Sequence, residues 1–482
     1  MARYLFLHPN LPGQYKHLAP ALAADPKNEV VFVTENTVKR SVDKVRKITY
    51  ALPKDTGKPH LYADVFNTAV ATSQVVARTL LDLKKKDGFV PDVVIGHLGW
   101  GQGLYVKDVY PDTRVLSFFE YYYNPDGGSA GFLPGEELDV GGAAKLRSRN
   151  ASLLMSMRDA DWGTAPTIFQ FRQHPREFWP KMSLLHDGVD VDAARPGPER
   201  PLTLTKDGPT LTPDDEVVTF ISRNFEPYRG FPTFMRAAAK LQKERPKAHI
   251  IFVGQEGVSY SRRTPDGMTY RQIMEEEVSL DPERTHWMGY LPHNEMIRVM
   301  QLSRAHIYLT VPFVLSWSML EAMATGCVVV ASNTPPVLEV IEDGYNGLTC
   351  DFFSPEDVVA KIVQVLEAPD KMMELRRAAR STIIQRYALD ITLPFHVGLA
   401  KDLAEGRTPP PTADKIRQFN RLHDQDPENP PARMDHWPKA PADMDNYLDM
   451  GIVQRLKERL DAEKAQAPTE TTASAQAPVA TS

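Results

Sequence analysis

The stretch "HIYLTVPFVLSWSMLEAMATGCVVVAS" (His306–Ser332) holds two apolar runs, HIYLT and CVVVAS, separated by a bend at Pro312 and a short amphipathic segment. Two such runs joined through a helix predict a pair of parallel strands, because parallel strands need a crossover connection between them. The unit raises one chemical question. Glu321 is a carboxylate on a helix whose neighbours are Met319, Leu320, Ala322 and Met323.

Working outward, the same rhythm recurs. VVTFIS (217–222) and HIIFVG (249–254) predict strands, with helices near 231–243, 269–278, 293–303 and 316–325. Toward the N-terminus RYLFL (3–7), EVVFVT (29–34), DVVIG (92–96), RVLSF (114–118) and SLL (183–185) predict strands, with helices such as 62–84 between them. Short apolar runs alternating with helices are the pattern of a doubly wound parallel sheet. Because 482 residues are too many for one hydrophobic core, we expect two α/β domains, 1–190 and 191–408, joined through "HDGVDVDAARPGPERP" (186–201).

Beyond them the style changes. Residues 409–463 form a proline-rich extension ending in an amphipathic helix, with Leu448, Ile452, Val453, Leu456 and Leu460 on one stripe. That stripe is expected to dock back on its own protein in preference to a second copy. Residues 464–482 carry no large aromatic or long aliphatic groups and are expected to be disordered.

Charge excludes some partners. The chain has 56 basic against 62 acidic side chains and no strongly basic half, so nucleic acid is not an expected partner. Two cysteines, Cys327 and Cys350, cannot build a disulfide framework, and no metal-ligand cluster is apparent. "MARYLFLHPN" resembles a first strand more than a signal peptide, and no run reaches the roughly 18 apolar residues of a membrane span. A cytoplasmic protein is expected. The basic runs "VKRSVDKVRK" (38–47) and "KKK" (84–86) leave open a peripheral contact with the inner face of a membrane, beside the plainer reading of a solvated face. Liposome co-sedimentation at low salt separates the two, and indifference to anionic lipid removes the contact.

In facing α/β domains, ligands bind beyond the carboxyl ends of the strands. After VVTFIS, "RNFEPYRGF" places Arg223 and Arg229 at one turn. Two guanidiniums there can clamp a diphosphate, each charge-assisted bond contributing roughly 1.5–3 kcal/mol, or can be solvated surface groups. After HIYLT, Ser316, Trp317 and Ser318 open the helix, whose unpaired N–H groups suit an anion. Glu321, in its second turn, either accepts two hydroxyl bonds from a ribose or complements the helix dipole. Gly13, in "HPNLPGQYKH", permits a close backbone approach or serves a turn. His97 lies just past a strand in "DVVIGHLGWGQG", whose Gly-x-Gly-x-Gly spacing does not match a nicotinamide-dinucleotide fingerprint.

Taken in order, "HDGVDVDAARP", "SRNFEPYRG", "HWMGYLPHNEM" and "SMLEAMATGCVVVASNTPPVLEVIEDGYNGL" resemble the motifs of glycosyltransferase family 4, retaining enzymes of the GT-B fold. The resemblance covers about residues 160–400 and extends more loosely to "HPNLPGQYKHLAPALA" and the segment around Glu120. It implies two Rossmann-like doubly wound domains facing across a cleft, plus a C-terminal extension. It implies transfer of a hexose from a nucleoside diphosphate sugar to a saccharide or lipid-linked acceptor, in cell-envelope or exopolysaccharide biosynthesis, without a metal cofactor.

The resemblance also implies roles. Arg223 and Arg229 would hold the donor diphosphate, with Gly13, Ser316, Trp317 and Ser318 around the donor. Glu321 matches the second glutamate of a Glu-(seven residues)-Glu motif, which grips the ribose. The first glutamate falls at Phe313, so the contact to the donor sugar is missing and Phe313 is expected to alter donor choice. His97 and Glu120 would meet the sugar or acceptor, and each reads equally well as a structural group. Two other functions stay open: a non-catalytic nucleotide-sugar-binding scaffold, and a nucleotide-sugar epimerase of the same fold. Release of nucleoside diphosphate without acceptor tests the first, and conservation of donor mass tests the second.

Overall fold

The computed structural model describes residues 1–54, 56–197, 201–204, 208–264, 267–409, 440–441, 444 and 446–466. Its first sheet contains Arg3–Leu7 (β1), Glu29–Glu35 (β2), Arg46–Tyr50 (β3), Val93–His97 (β4), Arg114–Phe118 (β5), Trp162–Ala165 (β6) and Met182–Leu184 (β7). All its pairs are parallel, in the order β3-β2-β1-β4-β5-β6-β7. A short hairpin, Leu202–Thr203 (β8) and Thr210–Leu211 (β9), leads into the second sheet. That sheet contains Val217–Asn224 (β10), His249–Gln255 (β11), Thr285–Trp287 (β12), Ala305–Tyr308 (β13), Val328–Ser332 (β14) and Leu348–Cys350 (β15). It is also parallel, in the order β12-β11-β10-β13-β14-β15.

The expected fold class is therefore what the structure shows. Central strands are apolar throughout because helices cover both faces: Leu5, Phe6, Val31, Phe32, Ile250 and Val330 are all fully buried. In each sheet the strand order reverses direction once, between β1 and β4 and between β10 and β13. At such a switch point the connections leave on opposite faces and open a crevice at the strands' carboxyl ends. The two crevices meet across one cleft.

Two domain expectations need correction. The helix Leu389–Ala404 falls within the stretch assigned to the second domain, yet Leu399, Ala400 and Leu403 pack into the first domain's core with Tyr4, Phe6 and Leu22. The chain thus crosses between domains near Val189 and back near Leu389, and these two crossings lie side by side, where Val189 N–H donates to Tyr387 O (2.7 Å) and Leu389 N–H to Val189 O (2.8 Å). The C-terminal helix, Met450–Gln466, also runs past the expected boundary at 463. It docks on its own second domain as its stripe predicts: Ile452, Val453 and Leu456 are buried there, and Arg459 pairs with Glu276 at 2.6 Å. Most of the proline-rich extension and the tail from 467 lie outside the described residues.

Part of the basic surface is spent internally. Lys47 Nζ donates to the carbonyls of Val38 and Arg40, and Lys84 Nζ to that of Val109. No helix among the described residues is long and apolar enough to cross a membrane.

Four buried histidines and the partly buried His396 set an expectation for stability. Burial lowers His8, His174 and His396 to about 4 and His186 and His306 to about 3. The unfolded chain takes up protons near 6.5 while these rings stay neutral, so their contribution, present above about 6.5, is lost as pH falls toward 4. Asp187 and Glu339, pushed up to about 7 by burial, act the other way, removing stability as pH rises from about 4 to 7. Burial also lowers His286 to about 4, and together the lowered histidines outweigh the two carboxylates. The thermal midpoint should be lower at pH 5 than at pH 7, and an equal or higher midpoint at pH 5 would contradict this balance.

Candidate active site

The cleft between the domains has a volume of about 550 Å³. Its second-domain wall begins at the end of β10. Arg223 is exposed there, makes no ion pair among the described residues, and acts electrostatically on Glu120 across the cleft. Arg229 follows on the turn Pro227–Arg229, closed by Gly230 at φ 64°. A β-carbon at Gly230 would lie 2.3 Å from Leu309 Cβ, so the turn requires glycine. Arg229 is buried, and Nη1 donates to Thr310 Oγ1 (2.9 Å), Val314 O (3.3 Å) and Tyr308 OH (3.4 Å). It lines the cleft while also holding the loop that enters the next helix.

Between the arginines, Glu226 was not singled out by sequence reasoning. Its buried carboxylate accepts from the N–H groups of Ser259, Tyr260 and Ser261 (3.1, 2.9 and 2.9 Å). That bond set fixes the loop whose Tyr260 ring lies 5.2 Å from the Arg229 guanidinium. A carboxylate between two arginines on one turn was the available signal.

The helix Trp317–Ala324 starts at the cleft. Ser316 caps it, accepting from Ser318 N–H (3.4 Å) while its own N–H donates to Tyr308 OH (2.8 Å). Trp317 Nε1 donates to Asp187 Oδ2 (3.0 Å), a hinge carboxylate that also lines the cleft. Glu321 Oε1 lies 2.7 Å from His293 Nε2, and that hydrogen bond raises the imidazole pKa. The expected ribose carboxylate therefore already holds one partner. Glu321→Gln should weaken nucleotide binding about tenfold or more, the loss of a charge-assisted bond, with little change in thermal midpoint. Isothermal titration checks this, and wild-type affinity would reduce Glu321 to a dipole-complementing residue.

On the first-domain wall His97, buried at the end of β4, does not line the cleft. Its Nδ1 accepts from Gly99 N–H (2.9 Å), so the ring proton sits on Nε2, 3.2 Å from Glu120 Oε2. Glu120 faces the cleft. Burial alone would raise its carboxyl, but His97 and Arg223 hold it below the usual glutamate range. Gly13, at φ 53°, also stands behind the wall, its α-carbon pressed against the His8 ring, where a β-carbon would come within 2.4 Å. The structure thus brings Arg223, Arg229, Ser316, Trp317, Ser318, Glu321 and Glu120 to one cleft, with His97 and Gly13 supporting it.

The expectation for Phe313 is corrected. Its ring is 5% exposed and packs among Tyr121 (centroids 4.6 Å apart), Tyr260 (5.0 Å) and Tyr228 (6.2 Å), outside the cleft lining. The position joins the domains instead. Tyr121 OH donates to Pro312 O (3.3 Å), and Phe132 of the same first-domain segment stacks on Phe353 (5.2 Å). Glu339 adds a polar tie, accepting from the N–H groups of Ile168 (2.8 Å) and Phe169.

Two facing Rossmann-like domains with an anion-suited helix and a cationic turn at their cleft define the GT-B glycosyltransferase fold. Matches to known families agree half by half: residues 26–194 match the glycosyl transferase family 4 group and residues 205–382 match glycosyl transferases group 1. Curated relatives include the D-inositol 3-phosphate glycosyltransferases of Segniliparus rotundus (26% identical over 201 residues, 41% of this chain and 42% of the relative) and Corynebacterium glutamicum (26% over 235 residues, 47% and 54%). The chain spans about half the length of the curated relatives it matches. Among solved structures, a sucrose-phosphate synthase from Thermosynechococcus elongatus aligns with TM-score 0.65 and 16% identity over 84% of this chain and 100% of that one. Anabaena HepE in complex with UDP-glucose aligns with TM-score 0.57 and 13% identity, covering 84% and 99%. At such identities the likeness is one of fold.

Proposed function

We propose that this chain is a retaining hexosyltransferase of family 4, moving a hexose from a nucleoside diphosphate sugar to a saccharide or lipid-linked acceptor in cell-envelope or exopolysaccharide biosynthesis. The observation that carries the reading is the opposition of two walls: Arg223, Arg229, the Ser316-capped helix and Glu321 on one side, the His97–Glu120 pair on the other. The relatives' names and the UDP-glucose bound by HepE make uridine donors and phosphorylated cyclitol acceptors the first to try.

In this reading Glu321 and His293 hold the ribose end. The arginines and the helix N-terminus stabilise negative charge as the bond from the sugar's anomeric carbon to the diphosphate breaks. The acceptor oxygen bonds to that carbon on the same face, and its proton passes to a phosphate oxygen of the departing diphosphate. Exclusion of water by the closed cleft strengthens each of these charge interactions. A thermal-shift panel of nucleotides and nucleotide sugars tests the donor half. A ligand at about 100 times its Kd adds roughly 2.7 kcal/mol of stability. A panel without a single stabilising nucleoside diphosphate would remove the proposal.

A further inference from the structure

Lys16 is a first-domain side chain that none of the assignments above uses. It follows the Gly13–Tyr15 turn, which is anchored on both sides: Tyr15 is buried against Phe6, with centroids 5.2 Å apart, and the His8 ring supports Gly13. The anchored turn leaves the Lys16 side chain exposed and lining the cleft. Nζ lies 5.8 Å from the ring centroid of Trp317, the first residue of the second domain's anion-suited helix. The indole is itself fixed by the bond from Nε1 to Asp187. Lys16 also acts electrostatically on both Asp187 and His293, which places its charge between the hinge and the expected ribose site. Among the described residues it makes no ion pair.

A cation without an ion-pair partner, held at the start of that helix by the opposite domain, has the chemistry of a phosphate ligand. We propose that Lys16 is a third cation on the donor diphosphate, delivered by the first domain, so that the diphosphate site is complete only when both domains face each other. This rests on the donor reading given above. Lys16 would then bear the same leaving-group charge as Arg223 and Arg229, which come from the other wall. It would also link release of the nucleoside diphosphate product to separation of the walls.

Isothermal titration of UDP, GDP and ADP into wild type, Lys16→Gln, Lys16→Arg and Lys85→Gln tests the proposal. Lys85 is exposed and does not line the cleft, so its substitution controls for loss of one charge. The diphosphate that binds wild type should bind Lys16→Gln about tenfold more weakly, Lys16→Arg within about twofold, and Lys85→Gln unchanged. Wild-type affinity in Lys16→Gln, an equal loss in Lys16→Arg, or an equal loss in Lys85→Gln overturns the proposal while leaving the donor reading intact. A wild type that binds none of the three overturns both.

Discussion

Arg229→Ala should lower kcat/KM for sugar transfer by at least a hundredfold and also reduce stability. Removing one preorganised donor to a developing negative charge typically costs a factor of 10² to 10³ in rate. Arg229 carries a second duty, because Nη1 also holds Thr310, Val314 and Tyr308, the residues that lead into the helix at the cleft. Its loss leaves a buried carbonyl and hydroxyl short of a donor, at about 1–3 kcal/mol for an unsatisfied group. Arg223 is exposed, so Arg223→Ala should cost a comparable factor in turnover with little change in thermal midpoint. Steady-state kinetics with thermal melts separate the two roles. Unchanged turnover in the double variant would sink the diphosphate assignment.

Phe313→Glu should destabilise the protein by about 3–5 kcal/mol, the scale of an uncompensated buried charge. The new carboxylate would stand among the rings of Tyr121, Tyr228 and Tyr260 at the join between domains. Phe313→Leu keeps an apolar side chain there and should cost much less. Denaturant unfolding of both variants measures the difference. A Phe313→Glu protein as stable as wild type, with an altered donor preference, would show that position 313 turns toward the sugar after all.

Long apolar runs made most of the fold legible. β1, β2, β4, β5, β10, β11 and β14 are buried on both faces, and that burial writes itself as runs of Val, Ile, Leu and Phe, while β13 is legible because AHIY continues into the apolar Leu309. β3 reads RKITY because it is an edge strand, while β12 and β15 are edge strands of three residues each. β6 reads WGTA, with Gly163 giving room to Phe119, so no β-branched run marks it. The helix Leu389–Ala404 returns to the first domain through packing that local periodicity does not encode.

The site divides in the same way. Arg223 lies at the end of β10, and Arg229, Ser316 and Glu321 lie on the turn and the helix that come next after β10 and β13, so the strand pattern locates them. His293, at the start of the helix His293–Leu302, and Asp187 and Lys16, on loops, reach the cleft from elsewhere in the chain, and only the tertiary arrangement shows that they meet the helix Trp317–Ala324. At Phe313 a motif position does not fix the direction of the side chain. In this chain the aromatic ring turns away from the cleft into the contact between domains.

Glycosyl transfer at this cleft is tested most directly by incubating the full chain with the nucleotide sugar that binds it, with and without candidate acceptors, while following released nucleoside diphosphate. NMR of the product then reports the configuration at the anomeric carbon. Slow release alone, faster release with the right acceptor, a product that keeps the donor's anomeric configuration, and loss of all three in Arg229→Ala are expected. A bound nucleotide sugar that stays intact with every acceptor, or is converted to an isomer of equal mass, would contradict glycosyl transfer here.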